Sequence, residues 1–277
     1  KKLSKKHTLS ITTDYYFDVH NRDSIDNNGK PLLSVVHFLQ GYDNAFWNGS
    51  LMVYGDGDED LPKTQRIFNR FTLLDICAHE LSHAVNQYEA NLVYQDQSGA
   101  LSESFSDVFA VLVTQKKLNQ TAEQADWLIA KDLFTNNVNA TALRSMKNPG
   151  SAYDDPLIGK DPQLGHMNDY NNTTSDYGGV HINSGIPNKA FYECAIRIGG
   201  PAWNNPADIW YKTWTEKLGP NSTFQNCADF TYTAAEELFG KNSNSHKAVK
   251  DGWAAVGINV SEKKGCNIFA RIAQIFK

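Results

Sequence analysis

The sequence predicts an α+β protein of two lobes, a strand-rich N-terminal lobe and a helical C-terminal lobe joined by a central helix. Three observations point there. Short apolar runs closed by turn residues occupy the first 72 positions, the apolar period changes to three- and four-residue steps near position 73, and the later helical stretches are bounded by Gly, Pro or Asn. The divisions are 1–72 for the shortened first lobe, 73–88 for the central helix, 89–260 for the helical lobe and 261–277 for an amphipathic extension. A chain of 277 residues suffices for one large domain or two modest ones around a cleft.

Taken in order, Val35 to Leu39 is a short strand-like run ending at Gly41, and Leu51 to Tyr54 is a second, closed by Gly55-Asp56-Gly57-Asp58. That acidic run lacks the glycine and glutamate an EF-hand loop needs and reads as a turn. Leu73, Leu74, Ile76, Cys77, Leu81, Ala84, Val85 and Tyr88 then make 73–88 an amphipathic helix. After a loop at Ser98-Gly99 a second helix spans 100–117, burying Leu101, Phe105, Val108, Phe109 and Leu112. Further helices are predicted at 122–134, 184–198, 206–217, 226–239 and 245–255, while 144–180, dense in Pro, Gly, Asp and Asn, reads as a long irregular loop region. In the extension, Ile268, Phe269, Ile272, Ile275 and Phe276 form one apolar face, read as packing on the body or contacting a partner or membrane surface.

Composition narrows the function. Apolar residues at 41% and aromatics at 12% argue against disorder, and the net charge of −5 lacks the positive field that nucleic-acid binding requires. No apolar stretch approaches the roughly 18–20 residues of a membrane helix. Cys77, Cys194, Cys227 and Cys266 have no CxxC spacing and read as buried free thiols rather than disulfides. Lys1, Lys2, Lys5 and Lys6 read as a solvated arm, and a start at Lys1 rather than Met reads as a mature or a trimmed form, from which any signal peptide or pro-segment would already be gone.

The chemistry concentrates on the central helix. In His79-Glu80-Leu81-Ser82-His83, a turn of about 100° per residue puts the two imidazoles about 40° apart around the axis and one turn apart along it, within reach of one ion. Glu80 can face a water on that ion without ligating. Glu103 follows on the next helix and can return a carboxylate to the pair, leaving a fourth position open, as in catalytic zinc sites. Asp107, one turn later, can accept the outer N–H of a ligand histidine, most plausibly His79.

The stretch from His79 to Asp107 closely resembles the thermolysin-like (M4-type) metalloprotease family. So do Asn44-Ala45-Phe46-Trp47, Leu143-Arg144-Ser145-Met146 and the segment from Gly178 to Gly185, in the family's order and spacing. Tyr153-Asp154-Asp155-Pro156 and the run from Asn183 to Asn188 look most like its compact protealysin-like branch, and the resemblance covers residues 14–257. It implies zinc on His79, His83 and Glu103, with Glu80 as general base. Tyr94 and His181 would donate to the oxyanion, with Asp176 orienting His181. Arg144 would hold the substrate carbonyl on the leaving-group side, and Asn44 with the Ala45 backbone would align an extended peptide. The pocket for the side chain after the cleaved bond would map onto Ile76, Ile129, Leu133 and Leu143, all branched aliphatics, implying cleavage before Leu, Ile, Phe or Val.

Departures from the family are informative. Asp75 and Asp126 match its double calcium site, but Thr114, Leu128 and Lys131 replace the other acids, so no double site is expected. Ser102 stands where Asn is common, predicting weaker or water-routed support of His83. The residues preceding the resemblance are fewer than in relatives. The resulting expectation is a zinc endopeptidase acting on peptide or protein substrates, with a pro-segment or proteinaceous inhibitor as possible partners and secretion favoured over an intracellular setting. Its rivals are a catalytically silent zinc-binding scaffold and, less strongly, an aminopeptidase, for which no acidic group gripping the substrate amine can be identified.

Overall fold

The computed structural model describes residues 5–261, so the apolar face predicted in the extension, Cys266 and the leading Lys1 and Lys2 fall outside it. The chain opens with helix α1 (Lys5–His20), a correction to the reading of this opening segment as strands and turns; the strands of the first lobe follow it. Its β-branched threonines fit a helix because their hydroxyls bond back one turn, Thr12 Oγ1 to Thr8 O at 3.0 Å and Thr13 Oγ1 to Leu9 O at 3.1 Å. Its docking is aromatic: Tyr15 and Tyr16 are buried, and the Tyr16 ring stacks on Phe109 at 5.5 Å.

The strands that follow are short: β1 (Ser34–Val35), β2 (Ala45–Trp47) and β3 (Met52–Tyr54). They form one sheet in the order β1-β3-β2, with β1 parallel and β2 antiparallel to β3. The run predicted as a strand to Leu39 stops at Val35, because His37 and Leu39 adopt left-handed backbone with φ of 58° and 52°. β2 is thus a sheet edge beside the central helix.

That helix, α2 (Leu74–Tyr88), packs against α1, β2 and α3 (Asp96–Leu118). The turn into α3 requires a glycine: a Cβ on Gly99 would lie 2.5 Å from Val180 Cγ1 and 2.9 Å from the Tyr94 carbonyl carbon. Only that bare backbone lets α3 press against the Tyr94 segment and α4 (Asp176–Asn183).

No helix forms at 122–134. A turn leads instead to β4 (Leu128–Ile129), paired antiparallel with β5 (Arg144–Ser145). Left-handed Trp127 and Ala130 break the helical path, held by Trp127 Nε1 donating to Ala122 O and Ala130 N donating to Asp75 Oδ2. The irregular region beyond carries a small hairpin of β6 (Asp154–Asp155) and β7 (Gly159–Lys160) and a short 3-10 turn (Met167–Asp169) before α4. The helical lobe closes with α5 (Gly185–Ile198), α6 (Asn205–Glu216), α7 (Phe224–Phe239) and α8 (Asn244–Ala254) around buried Trp210, Trp214 and Trp253. Cys77, Cys194 and Cys227 are free and buried, and burial pushes the Cys77 thiol up to about 11. Among the described residues, no helix is long and apolar enough to cross a membrane.

Candidate active site

A cavity of about 630 Å³ lies between β2, α2 and the start of α3, with Tyr177 and His181 on its rim. His79, Glu80 and His83 face it from α2, and Glu103 closes its floor from α3. Donor atoms of His79, His83 and Glu103 all lie within 4.8 Å of one another. The two imidazole Nε2 atoms are 3.1 Å apart; Glu103 Oε2 is 3.4 Å from His79 Nε2, and Oε1 is 3.2 Å from His83 Nε2.

This donor set fits a tetrahedral divalent ion. Ligand atoms each about 2.0–2.1 Å from such an ion are separated by about 3.3 Å, close to the spacings found here. Glu103 Oε2 is moreover buried without a hydrogen bond, an unmet acceptor aimed at the same point. Burial would raise the Glu103 pKa, but His181 and His83 hold it well below the usual carboxylate range. For His79, burial opposes charge, yet the Asp107 and Glu103 carboxylates beside the ring outweigh it and lift the imidazole to about 10. Cation binding therefore competes with protons at this nitrogen.

Each of these two histidines has a partner behind it. Asp107 Oδ1 lies 2.9 Å from His79 Nδ1. The same carboxylate receives Arg144 Nε at 2.8 Å, Arg144 Nη2 at 2.6 Å and Asn188 Nδ2 at 2.9 Å. Burial would raise the Asp107 pKa; Arg144 and His79 keep it below the ordinary range. Arg144 borders the cavity, but two of its nitrogens are committed to Asp107. Ser102 Oγ reaches His83 Nδ1 directly at 3.2 Å, so no water route is required. Asn86 Nδ2 donates to that oxygen at 3.3 Å while its Oδ1 accepts Trp214 Nε1 at 3.1 Å. Asn86, Asn188 and Trp214 escaped the sequence reading because nothing local links them to the motif.

On the opposite side, Tyr94 donates its hydroxyl to Glu103 Oε1 at 2.6 Å and lies 3.2 Å from His181 Nε2. Asp176 brackets His181, its Oδ1 2.7 Å from Nδ1 and its Oδ2 accepting the backbone N–H at 2.8 Å. Asn44, just before β2, and Ala45 at its start line the cavity, and Ile76, Ile129 and Leu143 line it as aliphatic side chains. Leu133 does not reach it: the side chain is fully buried, and its backbone bonds Asn69 and Ala130. Of the two acids that match the family's calcium positions, Asp75 accepts backbone N–H groups of Ile76 and Ala130, and Asp126 pairs with Lys131 at 2.8 Å.

Two histidines one helical turn apart, a carboxylate from the next helix and a further glutamate facing the same cleft define a metal-dependent hydrolase. Residues 2–87 match the family described as thermolysin metallopeptidase, catalytic domain, and residues 90–258 match its alpha-helical domain. The chain is 48% identical to an extracellular metalloprotease of Pectobacterium carotovorum subsp. carotovorum, over 92% of this chain and 72% of that protein. It is 46% identical to protease PrtS of a Photorhabdus species, over 92% of this chain and 68% of the relative. Among solved structures, the precursor of protealysin, a metalloproteinase from Serratia proteamaculans, superposes with a TM-score of 0.87 at 47% identity, covering 92% of this chain and 77% of that one. The chain belongs to the thermolysin-like metallopeptidase family and resembles its protealysin branch. It is a metalloendopeptidase.

Proposed function

We propose that this metalloendopeptidase uses zinc and cuts on the N-terminal side of bulky hydrophobic residues. The convergence of two imidazole nitrogens and one carboxylate, with an unmet buried oxygen on Glu103, carries the reading. A nitrogen-rich set of three protein ligands with an open fourth position suits catalytic zinc better than oxygen-seeking calcium or magnesium. When bound, such an ion polarises the scissile carbonyl and brings the pKa of its water toward about 7.

The chain's own residues supply the rest. Asn44 and the Ala45 backbone hold the peptide extended along the unpaired edge of β2. Glu80 takes the proton of the attacking water and returns it to the leaving amine. Tyr94 and His181 donate to the oxyanion of the tetrahedral intermediate; Tyr94 first releases Glu103, because its single proton serves one acceptor. Asp176 holds His181 in the ring orientation that aims Nε2 inward. Asp107 engages Arg144 and His79 together, tying the leaving-group side to the ligand shell. Ile76, Ile129 and Leu143 receive an apolar side chain, and a charge there would be left without a partner. The names of the relatives support export from the cell, and the precursor form of the solved relative supports a pro-segment.

A panel of quenched peptides varied at the residue after the cleavage point tests this. Leu, Ile, Phe or Val should exceed Asp at least about tenfold, with activity lost to a chelator and restored by zinc. Full metal occupancy without hydrolysis of any peptide would favour a silent binding protein.

A further inference from the structure

The cavity has a direction. Ile76, His79, His83 and Gln87 mark successive turns of α2 along it, a span of about 16 Å at the helical rise. The end beyond His79 carries the aliphatic Ile76, Ile129 and Leu143, and Phe71 and Arg144 also line the cavity. The other, beyond His83, is lined by Trp47, Gln87 and Tyr94, and Tyr177 borders it through Tyr94: their ring centroids are 5.5 Å apart, and the Tyr94 ring is 6.1 Å from His83.

Tyr177 is unusual twice over. Its side chain is among the most exposed of the large apolar residues, at 63%, yet it lines this cavity. Its backbone is left-handed, with φ 50° and ψ 42°, between left-handed Asp176 and Gly178. A bulky aromatic is disfavoured there, whereas Gly or Asn fits readily. The turn cannot relax around it: Gly178 and Gly179 both donate to Ser175 O, at 3.1 and 2.9 Å, and a Cβ on Gly178 would meet Asp96 Oδ1 at 1.9 Å. An exposed aromatic at a strained position, its ring edge-on to Tyr94 and lining the cleft, is not part of the core.

Resting on the endopeptidase reading, we propose that Tyr177 is a specificity-determining residue that, with Tyr94, forms an aromatic platform for a substrate side chain on the acyl side of the cleaved bond. The aliphatic end takes the side chain after that bond, so the opposite end takes those before it. The preferred class there is aromatic, stacked or edge-on against the Tyr177 ring.

The test compares wild type with Tyr177→Asn, which suits the left-handed backbone but lacks the ring, and with Tyr177→Phe, on peptides bearing Phe or Ala before the cleaved bond. Wild type and Tyr177→Phe should prefer Phe over Ala, and Tyr177→Asn should lose that preference by roughly fivefold in kcat/KM. Its preference after the bond and its thermal midpoint should be unchanged or, for the midpoint, raised. An active wild type whose acyl-side preference survives Tyr177→Asn, or a loss equal for all peptides, overturns this inference alone. Inactivity of wild type on every peptide overturns the endopeptidase reading with it. Tyr177→Gly repeats the comparison if the Asn variant does not fold.

Discussion

Asp107 is the most heavily engaged side chain at the site, with His79, Arg144 and Asn188 all pointing at one buried carboxylate. A buried charge is tolerable only when so completely partnered, and its partners keep it ionised far into acid. His20 presents the opposite case. Its side chain is 2% exposed and its ring lies flat on Tyr211 at 4.0 Å. Burial, reinforced by Arg22 and Lys116, lowers its pKa to about 3. Asp208, 3.9 Å away but 44% exposed, is too well hydrated to reverse this. With the folded pKa below the unfolded one, the unfolded chain takes up the proton first, so this stabilisation is whole above about pH 6.5 and is lost as pH falls toward 3. Between pH 7 and 5 wild type should lose about 2 kcal/mol more than His20→Phe in urea unfolding. Equal losses would show that His20 is not the group responsible.

At the scale of elements, α1 is the part that periodicity does not reveal. Its threonines and tyrosines resemble strand residues until Phe109 and Ser82 are brought against them by the fold. Tyr16 donates its hydroxyl to Ser82 Oγ at 2.7 Å, since Ser82 gives its own proton to Ala78 O. That bond fastens α1 to the very turn of α2 that lies between the two histidines. Tyr16→Phe should cost about 1 kcal/mol and lower the thermal midpoint by about 2–4 °C; an unchanged midpoint would mean the hydroxyl adds nothing. The helices with a strong apolar period were legible: α2 was expected at 73–88 and runs Leu74–Tyr88, and α3 was expected at 100–117 and runs Asp96–Leu118. The predicted helix at 122–134 failed because Asp75, some fifty positions upstream, captures the Ala130 N–H and bends the chain.

At the scale of the molecule, the cleft exists because a sheet edge and two helices from distant parts of the sequence face one point. The clustering of His79, His83 and Glu103 could be read in advance since helix geometry alone fixes His79 against His83, and a short reversal brings Glu103 back. Asn188, Asn86 and Tyr177 could not, since each joins the site through contacts made only in three dimensions. Tyr177 was hidden further by a backbone conformation its residue type does not announce. The central claim is that the ion held by His79, His83 and Glu103 works together with Glu80 on a peptide bond. Metal content and peptide turnover, determined on the same preparations of wild type and Glu80→Gln, test it most directly. The account predicts about one zinc ion per chain in both proteins, with turnover in Glu80→Gln lower by roughly 10³. Wild-type turnover in Glu80→Gln, or peptide hydrolysis by a wild-type chain free of metal, would contradict it.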